Sequence, residues 1–146
     1  MRLLRRFLRD IGSSYVPDEV VNINNKRFTS PIDPPINIPQ QIYTGYYLGQ
    51  NRRRFEPSSI LLQRLAQESS IHKVYVDRDT AWLFVVGKDV FDENIIGKTD
   101  GVHLGGYCLV MYGDDCIGYG RYETSLDRRV VKNLYDIGDF LRREQE

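Results

Sequence analysis

Residues 107–122 read YCLVMYGDDCIGYGRY. An unbroken apolar run from Tyr107 to Tyr112 meets Gly113-Asp114-Asp115, and a second run from Cys116 to Tyr122 follows. Two runs of aromatic and branched residues around glycine and aspartate predict two strands joined by a turn. Asp114 and Asp115 therefore read as turn residues rather than as a metal-binding carboxylate pair. Upstream, Val74-Tyr75-Val76 predicts another strand. Trp82-Leu83-Phe84-Val85-Val86 predicts one more, buried on both faces and ended by Gly87. Four short strands with glycine turns between them predict a small closed or nearly closed β-barrel. Between the strands, Asp89, Asp92, Glu93 and Asp100 read as a solvated acidic loop.

The first half is of another kind. Leu3, Leu4, Phe7, Leu8 and Ile11 recur at helical spacing, and Gly12 is a natural stop. Arg2, Arg5, Arg6 and Arg9 fill the opposite face. They suit a solvated surface, an RNA contact or a membrane-surface contact. Residues 13–42 read as irregular, with a short strand near Val20–Asn24. Pro31, Pro34, Pro35 and Pro39 make 29–40 an extended connection, because proline removes a donor and restrains its predecessor. Ile42–Gly49 predicts a strand, Asn51-Arg52-Arg53-Arg54 a basic turn. Pro57 and Ser58 open a helix with Ile60, Leu61, Leu62 and Leu65 inward, running to about Ser69. No repeat or low-complexity segment stands out.

The chain has 146 residues, 41% hydrophobic and 27% charged, which is enough to bury a core without a disulfide or metal staple. We expect two small units, 1–69 and 70–146, and an α+β class overall. Net charge is zero. Residues 1–69 carry ten Lys/Arg against six Asp/Glu, a balance of +4, and residues 70–146 ten against fourteen, a balance of −4. A nucleic-acid footprint must then be a local patch. Cys108 and Cys116 lack CxxC spacing and read as buried reduced thiols, with a disulfide as the alternative. No window reaches the ~18–20 apolar residues of a membrane span. The opening MRLLRRFLRDIG lacks the apolar run of a signal peptide, so a cytoplasmic protein with no membrane partner is expected.

A catalytic site leaves marks in a sequence. Gly118-Tyr119-Gly120 lies within a strand rather than before a helix, where a nucleotide loop would sit. His72 and His103 have no HxH or HExxH context. No serine sits in a nucleophile elbow. We expect no catalytic residue, metal, cofactor or small-molecule substrate. Arginine does stand out. Arg52, Arg53 and Arg54 crowd one turn; Arg121, Arg128, Arg129 and Lys132 fall within twelve residues, and Arg142 and Arg143 follow. Interleaved Tyr119, Tyr122 and Tyr135 suit unpaired bases, which stack on rings and guanidinium planes.

Four stretches carry a family resemblance. They are Arg9-Asp10-Ile11-Gly12, Gly45-Tyr46-Tyr47-Leu48-Gly49-Gln50 with Phe55, Leu61 and Leu65, Lys73–Val76 with Trp82–Val90, and Asp136-Ile137-Gly138-Asp139-Phe140-Leu141-Arg142-Arg143-Glu144. With these the chain resembles the large-subunit ribosome-biogenesis factors called Nip-seven, of archaea and eukaryotes, over most of its length except about 13–42. There the family has strands and a helix, and this chain has prolines. The resemblance implies a small N-terminal α/β domain followed by a PUA-like β-barrel. It implies non-catalytic, single-stranded, uridine-rich RNA binding in pre-rRNA processing. It also implies partner assembly or RNA-processing proteins bound by the N-terminal domain. The source would be archaeal and the location cytoplasmic, or nucleolar in a eukaryote. The family's basic pattern resembles Arg128-Arg129-x-x-Lys132, with Leu134 and Tyr135 where further cations could follow. The stretch Gly49 to Ser58 is also similar to the C-terminal region of some RNA cytosine methyltransferases.

The predicted RNA-binding residues are Arg121, Arg128, Arg129, Lys132, Arg142 and Arg143, with Arg52, Arg53 and Arg54 as a secondary RNA or partner surface. Two other functions compete. One is a protein-interaction adaptor in ribosome assembly, which an exposed apolar patch on residues 1–69 would favour. The other is an RNA-modifying enzyme or nuclease, or the accessory module of one, which carboxylates converging in a cleft would favour.

Overall fold

The computed structural model describes residues 2–15, 20–23, 26–29 and 46–138. Helix α1 (Arg2–Asp10) is followed by β1 (Val20–Ile23), β2 (Lys26–Thr29), β3 (Tyr46–Asn51), β4 (Phe55–Pro57) and α2 (Ser59–Leu65). Next come β5 (Lys73–Val76), α3 (Arg78–Val85), β6 (Val90–Phe91), a 3₁₀ turn (Asp92–Asn94) and β7 (Ile95–Lys98). Three longer strands close the order: β8 (Tyr107–Tyr112), β9 (Asp115–Ser125) and β10 (Arg128–Asp136). The first four strands form one antiparallel sheet in sequence order. The remaining six form a curled half-barrel in the order β6-β10-β9-β8-β5-β7, with β5 and β8 parallel.

Strand β8 runs through the centre of this sheet, and it is buried on both sides because successive side chains point to opposite faces. Cys108 and Val110 join Val74, Val76, Ala81, Phe84, Val90, Ile117, Tyr122 and Val131 in one core. Leu109 and Met111 join Tyr119, Cys116 and the apolar faces of α1 and α2 in the other. The two cysteines are free and belong to different cores. Burial pushes the Cys108 thiol up to about 12 and the Cys116 thiol to about 11, so both stay protonated.

At nine residues α1 is too short to be stable alone, so packing holds it. Phe7 is its key. The ring lies 5.6 Å from Phe55, 5.9 Å from Tyr107 and 5.6 Å from Tyr119. The helix stops as the sequence predicts. Ser13 N–H donates to Leu8 O and Gly12 N–H to Arg9 O, a Schellman closure. Gly12 has φ +86°, and a Cβ there would come within 2.7 Å of His72 Nε2. Helix α2 begins where expected, with Ser58 Oγ accepting the Leu61 N–H. It ends at Leu65 rather than near Ser69, because the next bonds, Gln67 N–H to Arg64 O and Glu68 N–H to Leu65 O, are tight turns.

Four expectations are corrected. Trp82–Val86 is not a strand buried on both faces: it falls mostly in α3. Asp77 caps that helix by accepting the Thr80 N–H at 2.9 Å. Thr80, Ala81 and Phe84 point inward, while Trp82 is 67% exposed and Leu83 49%. The acidic segment 89–100 is not simply a loop, since it contributes β6 and β7 to the sheet. No element was predicted for Arg128–Lys132, which belongs to a nine-residue strand that pairs with both β9 and β6. The segment predicted as irregular over 13–42 contains β1, near the expected short strand, and also β2, which pairs with β3. The predicted strand 42–49 is shifted: β3 runs from Tyr46 to Asn51, and 42–45 lie outside the described residues, as do 30–40 of the connection.

Within β9, Gly118 and Gly120 let β10 approach. A Cβ on Gly118 would meet Tyr135 O at 2.1 Å, and one on Gly120 would meet Lys132 O at 2.2 Å. Asn133 then ties β10 to the end of α3. Its Nδ2 donates to Phe84 O at 2.8 Å and to the buried Asp136 carboxylate at 2.9 Å.

Two outcomes follow from this packing. Phe7→Ala, at a site only 4% exposed, should cost about 3–5 kcal/mol in urea unfolding; a loss under about 1 kcal/mol would contradict the shared aromatic core. The Thr80 backbone N–H holds the Asp77 carboxyl below its usual range. A depressed carboxylate stabilises the fold above its unfolded pKa, and that stabilisation fades as pH falls through the folded value. Asp77→Asn still caps but does not titrate, so its acid unfolding below about pH 4 should be shallower than that of wild type. Identical acid curves would remove the cap from the account.

Candidate nucleic-acid interface

The ladder of β8, β9 and β10 fixes a row across the sheet. Lys132 stands opposite Arg121, and Arg121 opposite Tyr107. Residues directly opposed share a face, so two cations and a phenol ring lie side by side. The Arg121 guanidinium sits 5.1 Å from the centre of the Tyr107 ring. Lys132 makes no ion pair among the described residues.

The same face meets α1 and the bend between β3 and β4. A cleft of about 320 Å³ opens at this seam, lined by Leu3, Arg6, Phe7, Asp10, Arg53, Arg54, Phe55, Tyr107 and Arg121. Arg53 and Arg54, which the sequence places on a separate secondary surface, thus share a cleft with Arg121. Arg52 does not line it and lies 3.6 Å from Glu56. Arg54 approaches the Tyr119 hydroxyl. Burial pushes that phenol above its ordinary range, and the Arg54 guanidinium pulls it part of the way back. Arg6 faces Asp10 at 3.9 Å. Tyr107 was not among the predicted site residues. Its signal was available, because the turn at 113–114 aligns β8 with β9.

The Arg128-Arg129 pair is placed differently. As neighbours on a strand the two point to opposite sides. The Arg128 guanidinium donates to the Glu93 carboxylate and lies 4.0 Å over the Phe91 ring. Arg129 and Arg128, with Phe91, Asp92 and Glu93, line a shallow depression of about 240 Å³. There the Asp92 carboxyl is held below its usual range, first by the Tyr122 hydroxyl and then by Lys98 and Arg129. Carboxylates therefore offset much of this patch's positive charge. Arg142 and Arg143 lie outside the described residues.

The fold also brings together groups far apart in sequence. His72 and His103 meet edge to face at 5.7 Å. The Nδ1 of His103 lies 2.8 Å from Gly101 O, and the buried Nδ1 of His72 has no partner among the described residues. Among the described residues no three His, Cys, Asp or Glu side chains cluster to hold a metal. Nor is any helix of the described residues long and apolar enough to cross a membrane. On α3, Arg78, Asp79, Trp82 and Leu83 line an open depression of about 500 Å³.

Solved structures share this arrangement. A conserved PUA domain protein from Thermoplasma acidophilum superposes with a TM-score of 0.63 at 18% identity, over 98% of this chain and 91% of that one. A hypothetical protein from the hyperthermophilic archaeon Pyrococcus horikoshii OT3 superposes with a TM-score of 0.57 at 16% identity, over 87% of this chain and 78% of that one. At such identities the likeness is one of fold. No curated protein matches the chain in sequence. The family model of the UPF0113 PUA domain matches residues 72–145, from the start of β5 through all six strands of the half-barrel. The chain belongs to the UPF0113 PUA domain family.

Proposed function

We propose that this protein is a non-catalytic RNA-binding factor of large ribosomal subunit assembly. PUA domains are generally RNA-binding modules. The observation that carries the reading is the Lys132–Arg121–Tyr107 row: cations for phosphates beside a ring for unpaired bases. Single-stranded, uridine-rich pre-rRNA is the proposed ligand, and the Nip-seven-like stretches in both halves support the ribosomal role. Other assembly proteins would meet the N-terminal elements, and the protein would work in the cytoplasm of an archaeon.

A second reading, a protein-interaction adaptor, draws on Trp82 and Leu83. Their exposed side chains form an apolar patch on α3. Trp82 is the chain's one tryptophan, so its fluorescence reports on that patch alone.

The test is anisotropy binding of uridine and adenine decamers at two salt concentrations, with Trp82 emission followed in parallel. Binding should weaken steeply with salt. The double variant Arg121→Ala, Lys132→Ala should lower the log–log salt slope by about 1.4, near 0.7 per lost phosphate contact. Trp82 emission should hardly move. Absence of binding at low salt, or an unchanged slope in the folded double variant, would overturn the RNA reading.

A further inference from the structure

We infer that the RNA path does not end on the PUA sheet but continues into the seam cleft, where Arg53, Arg54 and Arg6 hold the backbone of a single unpaired strand. For the class of ligand this rests on the RNA-binding reading; for the place it rests on the cleft. Four guanidinium groups line this concavity against one carboxylate, Asp10. That carboxylate already faces Arg6 at 3.9 Å and Arg9 at 3.7 Å. The cleft is therefore left cationic, whereas Glu93 and Asp92 offset the Arg128-Arg129 patch. Like charges gathered by a fold repel one another until an anion arrives.

One of the arginines is held in place before any ligand binds: Arg121 lies over Tyr107. Pre-set side chains lose less entropy on binding. Arg53 is exposed and forms no ion pair among the described residues, so its charge is available to a ligand.

The shape selects the ligand. About 320 Å³ is at the small end of ligand pockets, room for one nucleotide unit and not for a duplex. Phe7 and Phe55 are buried beneath the cleft and back the half-buried Tyr107 ring, and the Arg121 plane offers a stacking surface beside it. A base needs such a surface and an acidic peptide does not. Carboxylates of a protein segment would satisfy the arginines while leaving the Tyr107 ring unused. The cleft also abuts the Lys132–Arg121–Tyr107 row through two shared residues, Arg121 and Tyr107, so one strand can run across both without a gap.

The experiment uses the full chain and a labelled uridine decamer. Arg53→Ala should weaken binding by about ten-fold, the loss of one charge-assisted contact, and Arg53→Glu by more. Thermal melting should stay as in wild type, because Arg53 supports no packing. If Arg53→Glu binds as wild type does while the Arg121, Lys132 double variant is weakened, the seam path is overturned and the RNA reading stands. If wild type fails to bind, both fall. If a glutamate decapeptide competes as well as RNA and its binding also depends on Arg53, the occupant is an acidic protein segment and the inference is overturned.

Discussion

Strand β8 cannot satisfy its side chains with one partner layer. Cys108 and Val110 need an apolar neighbour on one side, Leu109 and Met111 on the other. The curled sheet and α3 cover the first side. Among the described residues α1 and α2, with Leu48 of β3 and Phe55 of β4, cover the second. Without them a fully buried row of Leu109, Met111 and Tyr119 would face water, at a cost of about 1.5–3 kcal/mol per large side chain. The N-terminal elements are therefore part of the same core as the PUA sheet, not an appendage to it.

The candidate site is a by-product of this covering. Phe7 inserts among Phe55, Tyr107 and Tyr119, and its insertion brings Arg6 and the Arg53-Arg54 bend to the edge of the sheet where Arg121 emerges. Apolar contacts hold the seam together, while the arginines at its rim are left facing solvent. Such a division is expected where a site needs rigid support and free charge at once.

Much of this was legible in the residues. The spacing of Leu4, Phe7, Leu8 and Ile11 with Gly12 gave α1 and its stop, because a helical stripe and a glycine closure are local signals. Tyr107–Tyr122 gave the central hairpin for the same reason. The failure at Trp82–Val86 is also physical: a short apolar run looks alike as strand or helix, and the deciding Asp77 cap lies five residues upstream. Strand β10 was hidden because Arg128, Arg129 and Lys132 mask the alternation that Val130 and Val131 alone cannot show. The candidate site was legible as residue types, not as a grouping. Arg53 and Arg121 are far apart in the chain, and only the docking of α1 and the β3–β4 bend onto the sheet joins them. Likewise Glu93 and Arg128 meet through the pairing of β6 with β10, which no local pattern announces.

Where RNA touches the protein is the deciding fact. Photo-crosslinking of a 4-thiouridine oligonucleotide, with mass-spectrometric mapping of the modified peptides, reads this directly. Crosslinks are expected at Tyr107 and its neighbours on β8 and β9, and at the β3–β4 bend beside the seam cleft. Crosslinks confined to Trp82 and the rest of α3, with none at the sheet row or the seam, would contradict RNA binding on this face.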